Sequence, residues 1–200
     1  QYRAQQRERK WLRLGQYMTG DRTVGLLGLG ELGTDAAGKL LALAFKVAGW
    51  RRRPKEIAGV GCHTDLSAML PECNAIVCLL PLTAQTRGIL HSRNFSLLKP
   101  KSCVINVARG GHVVTQDLIA ALDSGHLSHA YLDVFDPEPL PADSPLWAHP
   151  RISITPHTQI AAAACRFQEI MVLPSATRTQ AVRCSGMIPA PLNHFQGRFP

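Results

Sequence analysis

The stretch Gly28-Leu29-Gly30-Glu31-Leu32-Gly33 decides the fold class of this 200-residue chain. An apolar run at residues 24–29 predicts a strand leading into it, and the pattern over residues 31–43 predicts a helix leaving it. There the first glycine makes a tight turn, the second lets the backbone approach a pyrophosphate, and the third lets helix and strand pack closely. Three glycines can also be ordinary turns, but the flanking strand and helix favour a dinucleotide-phosphate site at the helix N-terminus. The predicted cofactor contacts in this segment are Gly28, Gly30, Glu31, Leu32 and Gly33.

Apolar runs alternate with helix-sized segments along the rest of the chain. Further strands are predicted at residues 45–50, near Val60, and at 75–80, 103–107, 130–135 and 152–155. Further helices are predicted at residues 66–70, 92–98 and 115–123, the last with Thr115 as its N-cap and Gly125 just past its end. Continuous hydrophobic strands between helices indicate a sheet covered on both faces. The predicted fold class is therefore α/β, a doubly wound parallel sheet of the Rossmann type.

The chain divides into three predicted segments. Residues 1–20 form a basic arm, residues 21–157 form the nucleotide-binding domain, and residues 158–200 form a C-terminal helix at 161–173 followed by an irregular tail. Within the domain, residues 137–150 contain five prolines. Proline removes a backbone donor and fixes φ, so this segment is predicted to be a stiff surface loop without regular helix or strand pairing.

The positive charge of the chain is confined to three short segments. Of the net charge of +8, residues 1–13 carry +4, residues 51–56 carry +3 and residues 158–200 carry +3, which leaves −2 for the remainder. No basic face interleaved with aromatic residues is present, so we expect no nucleic-acid partner. No apolar stretch approaches the roughly 18 residues that a membrane span requires. The six cysteines include no C-x-x-C pair, and a reducing, cytoplasmic location is expected.

The residues after the second predicted strand bear on the choice of cofactor. NAD-binding versions of the fold place a carboxylate there, roughly 20 residues past the glycine motif, for the ribose hydroxyls. This chain has Arg51, Arg52 and Arg53 instead. Guanidinium groups can form charge-assisted pairs with a 2′-phosphate. NADP is therefore the predicted cofactor, with NAD possible and a merely solvated basic turn as the alternative.

Three polar residues follow strands that should end at the same edge of the sheet. Arg109, Glu138 and His157 follow the runs at 103–107, 130–135 and 152–155, and ligands bind beyond the carboxyl ends of parallel strands. The planar fork of an arginine suits a substrate carboxylate, and a histidine exchanges protons near neutral pH. A glutamate would orient the imidazole and favour its protonated form. Together they suit reduction of a 2-oxo acid by hydride from a nicotinamide.

Each of these three residues also has a structural interpretation. A lone histidine after a strand is more often a packing residue, and a glutamate in a proline-rich loop is often merely solvated. The combination at successive strand ends is what favours catalysis. A non-catalytic dinucleotide sensor of the same fold, bound to a protein partner, is the alternative function, because fold does not imply function. Retention of Arg109, Glu138 and His157 favours the enzyme.

Residues 24–157 resemble the D-isomer-specific 2-hydroxyacid dehydrogenases. The resemblance rests on the glycine motif, Leu79-Leu80-Pro81-Leu82-Thr83, residues 106–110, residues 132–139 and Thr155-Pro156-His157. It implies that Arg109 binds the substrate, that Glu138 and His157 form the acid–base pair, and that Asp133 contacts the nicotinamide end of the cofactor. The remaining cofactor contacts implied by this match are Leu80, Pro81, Thr86, Val107, Ala108, Arg109 and His157.

Residues 140–147 and the arginine-rich turn look most like the glyoxylate/hydroxypyruvate reductase branch of that family. This likeness implies NADPH as cofactor, a small 2-oxo acid as substrate and a homodimer for the intact protein. The family builds its substrate domain mostly from residues ahead of the cofactor domain, where this chain supplies only the 20-residue arm. We therefore expect most of the substrate domain to be missing. We also expect these 200 residues alone to turn over substrate at no useful rate. No metal site is expected.

Overall fold

The computed structural model describes residues 2–13, 15 and 18–158. Seven strands form one sheet: β1 (Thr23–Leu27), β2 (Lys46–Trp50), β3 (Val60–His63), β4 (Ala75–Cys78), β5 (Ser102–Asn106), β6 (Leu127–Leu132) and β7 (Ile152–Ile154). The helices are α1 (Tyr2–Arg7), α2 (Glu31–Ala42), α3 (Leu66–Met69), α4 (Ser92–Leu97) and α5 (Thr115–Asp123). The helix predicted at 161–173 and the tail after it lie outside the described residues.

All neighbouring strands pair in parallel, in the order β3-β2-β1-β4-β5-β6-β7. The chain thus builds outward from β1 in one direction, returns to the other side of β1, and continues outward from β4. This reversal is the topological switch point of a doubly wound sheet. The predicted fold class is confirmed.

Alternate residues of the central strands enter two separate apolar cores. On β1, Val24 and Leu26 belong to one buried cluster, whereas Leu27 belongs to the other. On β4, Val77 joins the first cluster and Ile76 joins the second. Successive side chains of a strand point to opposite faces of its sheet, so both faces are buried. The unbroken apolar runs in the sequence follow from that two-sided burial.

Strands β1 and β6 differ from their predicted boundaries. β1 stops at Leu27 rather than at residue 29, because Gly28 takes a φ of +107° that breaks the extended run. β6 covers Leu127–Leu132 rather than 130–135. Its start pairs with β5 through an irregular register at Ser102 and Cys103, which the apolar pattern did not reveal.

The prediction of Thr115 as an N-cap was wrong. Helix α5 begins at Thr115 itself, and Val114 occupies the cap position without a side-chain hydrogen bond. The backbone N–H of Val114 donates to the Leu90 oxygen at 2.9 Å, which keeps the chain extended until that residue. The other end of the helix follows the prediction, since Gly125 lies just beyond it with a φ of +73°.

The proline-rich segment has no strand and no α-helix, as predicted. Its one regular piece is a 3-10 turn at Pro145–Trp147, whose Leu146 is buried while Trp147 remains 48% exposed. The peptide bonds before Pro137 and Pro139 are cis. This loop follows β6 and therefore lies at the carboxyl edge of the sheet, where it carries Glu138.

Candidate active site

The carboxyl ends of six neighbouring strands are in register. Leu27 pairs with both Trp50 and Cys78, and the row continues through Asn106, Leu132 and Ile154. The segments that follow these residues therefore emerge side by side. They contain every site residue that the sequence predicted. The glycine motif follows β1 at the centre of this edge.

The glycine motif forms a cradle that larger residues would fill. A Cβ on Gly33 would lie 1.9 Å from the Gly28 oxygen, so only glycine allows α2 to pack this closely on the turn. No atom lies within 4 Å of the position that a Cβ of Gly30 would occupy. Gly30 is also the N-cap of α2 and offers no side-chain acceptor, which leaves the N–H groups at Glu31 and Leu32 to a ligand. This geometry fits a bound pyrophosphate.

The three arginines follow β2 at the side of this cradle. The backbone N–H of Arg51 donates to the His63 oxygen at 3.1 Å, which continues the β2–β3 pairing by one residue. The Arg52 side chain donates from Nη1 to Gln85 Oε1 at 3.2 Å. Gln85 belongs to the segment after β4, so Arg52 spans two loops. The side chains of Arg52 and Arg53 are exposed and accessible to an anionic ligand.

The loop after β4, residues 79–87, has a rigid internal frame. The buried Thr86 hydroxyl donates to the Pro81 oxygen at 2.7 Å and accepts from the Thr83 N–H at 2.9 Å. Leu80 is also mostly buried. Thr86 therefore shapes the loop with its side chain. The roles of Leu80, Pro81 and Thr86 as cofactor contacts stay predictions.

Glu138 and His157 form a hydrogen-bonded pair beyond β6 and β7. Glu138 Oε2 lies 2.8 Å from His157 Nδ1, and Glu138 Oε1 accepts from the backbone N–H of Phe135 at 2.8 Å. The hydrogen bond with His157, the Phe135 N–H and the positive charges of His157 and Arg109 hold the pKa of Glu138 below its usual value. A carboxylate faces Nδ1, so that nitrogen carries a proton. Nε2 is then the ring nitrogen left for proton exchange with a substrate.

Arg109, the third predicted catalytic residue, lies just after the end of β5. Its side chain is exposed, and Nη1 donates to the Ala108 oxygen at 2.6 Å. Its charge is the smallest of the causes that lower the pKa of Glu138. The turn after it packs tightly against the loop after β6, because a Cβ on Gly110 would lie 1.8 Å from the Phe135 carbonyl carbon. Gly110 thereby brings the turn that follows Arg109 against the loop that carries Glu138.

Asp133 holds the turn that carries His157. Its Oδ1 accepts from the Thr155 hydroxyl, from the Thr158 N–H at 3.1 Å and from the Thr158 hydroxyl at 3.0 Å. The backbone N–H of His157 donates to the backbone oxygen of Asp133 at 2.8 Å, and His157 has a φ of +47°. These bonds stabilise a backbone conformation that side chains rarely adopt. The resemblance assigned Asp133 to the nicotinamide end of the cofactor, which stays a prediction.

Several residues that shape the site were absent from the sequence-based prediction. His112 and Asn106 are fully buried beside Arg109, and Arg87 Nη1 pairs with Asp136 Oδ2 at 3.1 Å across the two loops. A single sequence offers no periodic signal for such contacts between loops. Among the described residues, no group of three or more His, Cys, Asp and Glu side chains could hold a metal ion. In the same part of the chain, no helix is long and apolar enough to span a bilayer.

The chain matches known proteins in sequence. The family model described as "D-isomer specific 2-hydroxyacid dehydrogenase, NAD binding domain" matches residues 1–159. The glyoxylate/hydroxypyruvate reductase A of Photorhabdus laumondii is 46% identical in an alignment of 160 residues that covers 78% of this chain and 51% of that protein. This chain therefore spans about half the length of the curated relative that it matches.

Solved structures agree with that match. A D-isomer specific 2-hydroxyacid dehydrogenase from Xanthobacter autotrophicus Py2, solved with NADPH and MES, is 39% identical with a TM-score of 0.74, over 84% of this chain and 58% of that chain. The apo NADPH-dependent glyoxylate/hydroxypyruvate reductase from Sinorhizobium meliloti is 42% identical with a TM-score of 0.74, over 78% of this chain and 82% of that chain. The chain belongs to the D-isomer specific 2-hydroxyacid dehydrogenase family and carries its NAD-binding domain.

Proposed function

We propose that this chain supplies the cofactor-binding half and the acid–base residues of an NADPH-dependent reductase that acts on small 2-oxo acids such as glyoxylate or hydroxypyruvate. The observation that carries the proposal is the Glu138–His157 pair at 2.8 Å, at the sheet edge where the segment with Arg109 also emerges. Relatives named glyoxylate/hydroxypyruvate reductase support the substrate class. No comparison supports the non-catalytic alternative.

Arg109 and His157 would divide the work on the substrate. The Arg109 guanidinium would hold the carboxylate of the 2-oxo acid, since its planar fork matches that group. The nicotinamide cofactor supplies a hydride to the carbonyl carbon when it is bound. His157 would give its Nε2 proton to the carbonyl oxygen, which becomes the hydroxyl of the product. Glu138 would hold the ring at Nδ1 and stabilise the imidazolium before that transfer.

Arg51, Arg52 and Arg53 would select NADP(H) over NAD(H). The glycine cradle fits the pyrophosphate, and the arginines lie where a carboxylate would otherwise bind the ribose hydroxyls. A related structure from Sinorhizobium meliloti, 38% identical, was solved with NADP and sulfate. The 2′-phosphate would gain charge-assisted hydrogen bonds here that NADH cannot make.

The intact protein would have further features that match the family. We infer that residues 1–20 form an arm or hinge, residues 21–157 form the cofactor domain, and residues 158–200 follow as a separate C-terminal segment. We further infer a cytoplasmic homodimer that binds neither nucleic acid nor membrane. The four cysteines within the described residues are unpaired, and burial raises the pKa of Cys78 to about 11, which agrees with inert core thiols.

The function is best tested in a chimera, in which the matched residues of this chain replace the corresponding half of the Photorhabdus laumondii reductase. We expect this chimera to reduce glyoxylate or hydroxypyruvate with NADPH. His157→Ala should lower its turnover by about 10²-fold or more, the scale of general acid catalysis. Cofactor affinity should remain close to that of the parent chimera. Parental turnover in the His157→Ala protein would eliminate the proposed proton donor.

A further inference from the structure

Three of the four buried polar residues in the described part of the chain lie in one network behind the site. They are Thr86, Asn106 and His112, whereas Ser102 lies at the opposite end of β5. Burying polar groups is costly unless they are hydrogen-bonded. Their concentration between two site loops therefore indicates a positioning role.

His112 lies at the centre of this network, on the turn that follows Arg109. Its Nδ1 is 3.0 Å from the Arg109 oxygen, and its Nε2 is 3.4 Å from the Pro81 oxygen. Asn106 Nδ2 donates to the same Arg109 oxygen at 2.9 Å, and the Thr86 hydroxyl donates to the same Pro81 oxygen at 2.7 Å. The ring thus spans from the loop after β5 to the loop after β4.

The protonation state of His112 follows from its surroundings. Burial, which outweighs the two carbonyl contacts, and the charges of Arg109 and Arg87 lower the pKa of His112, so the ring is neutral at neutral pH. A neutral imidazole has one N–H group. The shorter contact assigns that proton to Nδ1, where it donates to the Arg109 oxygen. The Pro81 oxygen then has its hydrogen bond from the Thr86 hydroxyl, and the ring meets it through packing alone, because an unprotonated Nε2 has no hydrogen to donate.

We propose that His112 is a positioning residue, whose buried ring fixes the backbone of Arg109 relative to the loop at 79–87. This proposal rests on the proposed function, in which Arg109 holds the substrate and residues 80–86 border the cofactor. With an aliphatic side chain, the Arg109 carbonyl would keep the bonds from the backbone N–H of residue 112 and from Asn106 Nδ2 but would lose the bond from the buried ring. His112 would keep Arg109, which holds the substrate carboxylate, and the loop at 79–87 in one fixed geometry, as preorganised sites require.

The first test measures NADPH affinity of the 200-residue chain by calorimetry, for wild type, His112→Leu and His112→Gln. We expect His112→Leu to raise the Kd about threefold to tenfold, the effect of one lost hydrogen bond. His112→Gln keeps an N–H donor and should recover part of that loss. The matched control is His126→Leu, because His126 Nε2 also lies 2.9 Å from a backbone oxygen, that of Phe95, away from the site. A His112→Leu protein that folds and binds like wild type would overturn the proposal.

The second test starts from the wild-type chain. Nitrogen-15 NMR of this chain at neutral pH should show His112 as the neutral Nδ1–H tautomer. Hydrogen exchange should then show faster opening at residues 82–86 and 109–113 in His112→Leu, but not across the sheet. An imidazolium or an Nε2–H tautomer would overturn the assigned link. Failure of wild type to bind NADPH would instead contradict the proposed function, and the tautomer would still test the link.

Discussion

Gly33 and Gly38 both lie in helix α2, but only Gly33 is closely packed against another part of the chain. A Cβ at residue 33 would meet the Gly28 oxygen at 1.9 Å, whereas nothing lies within 4 Å of the same position at residue 38. The first glycine is thus required by close packing. The second only weakens the helix, since glycine costs about 1 kcal/mol relative to alanine in a helix interior.

These two glycines give a matched pair of substitutions. Gly33→Ala should displace α2 from the turn, lower the free energy of unfolding by about 1–3 kcal/mol and weaken NADPH binding at least tenfold. Gly38→Ala should leave binding unchanged and stabilise the chain by about 0.5–1 kcal/mol. Denaturant unfolding and calorimetry measure both. Equal effects of the two substitutions would argue against the packing role of Gly33.

The arginines after β2 lead to a second prediction, on cofactor choice. Arg51→Asp combined with Arg52→Ser should cost about 1–3 kcal/mol of NADPH affinity, because charged hydrogen bonds to the 2′-phosphate are lost. NADH affinity should hold or improve. Lys55→Ser is the control, since it removes a cation from the same exposed turn. If the unmutated chain binds NADH as tightly as NADPH, these arginines do not select the cofactor.

Glu138 leads to a third prediction, on pH dependence. Because its pKa is lowered, its carboxylate is ionised throughout the neutral range, and the bond to His157 weakens only as the pH falls through that lowered pKa. Reduction by the chimera should therefore lose rate at acid pH, as Glu138 becomes protonated. Glu138→Gln has no carboxylate to titrate, so its rate should be lower at neutral pH and should lack that acid fall.

The same pH–rate profile for Asp143→Asn provides the control for this prediction. Asp143 is an exposed carboxylate in the same proline-rich loop. We expect Asp143→Asn to leave the pH dependence of the reduction rate unchanged. If Glu138→Gln keeps the same acid fall, titration of Glu138 is not its cause.

The strands and helices show which features of this fold a sequence reveals. Buried strands such as β4 are visible because both faces are covered, so every residue of the run is apolar. The start of α5 was misplaced, because the extended chain at Val114 depends on a hydrogen bond to Leu90, 24 residues earlier. Arg109, Glu138 and His157 were found because each follows a recognisable strand. His112 was missed because its burial depends on the loop at 79–87, which the sequence around residue 112 does not reveal.

The turn after β7 leads to a fourth prediction. Asp133 Oδ1 accepts three hydrogen bonds from Thr155 and Thr158, and these bonds hold His157 at its positive φ. Asp133→Ala should release this turn, speed hydrogen exchange at residues 155–158, and lower turnover of the chimera about tenfold or more. Thr158→Val removes one of the three bonds and should have a smaller effect. Unchanged exchange in Asp133→Ala would show that the turn is held by other contacts.

The molecule as a whole presents its catalytic edge to water, and this leads to the last prediction. The side chains of His157 and Glu138 are 43% and 36% exposed, and Arg109 is exposed as well. Hydride transfer needs a substrate pinned against the cofactor in a site that excludes water. The chain spans 51% of the Photorhabdus laumondii reductase. We therefore expect the 200-residue chain to bind NADPH but to reduce glyoxylate or hydroxypyruvate at no useful rate, whereas the chimera should do both.

Calorimetry and an assay of NADPH consumption on one preparation separate the two halves of this prediction. The glycine cradle and the arginines both belong to the described cofactor domain, so we expect NADPH binding to require no substrate domain. Turnover requires a surface opposite the exposed pair, because an open site lets water compete for Arg109 and solvate the acid–base pair. Rapid turnover by the chain alone would show that its own residues close the site. Absent NADPH binding by the chain would contradict the cofactor role proposed for this domain.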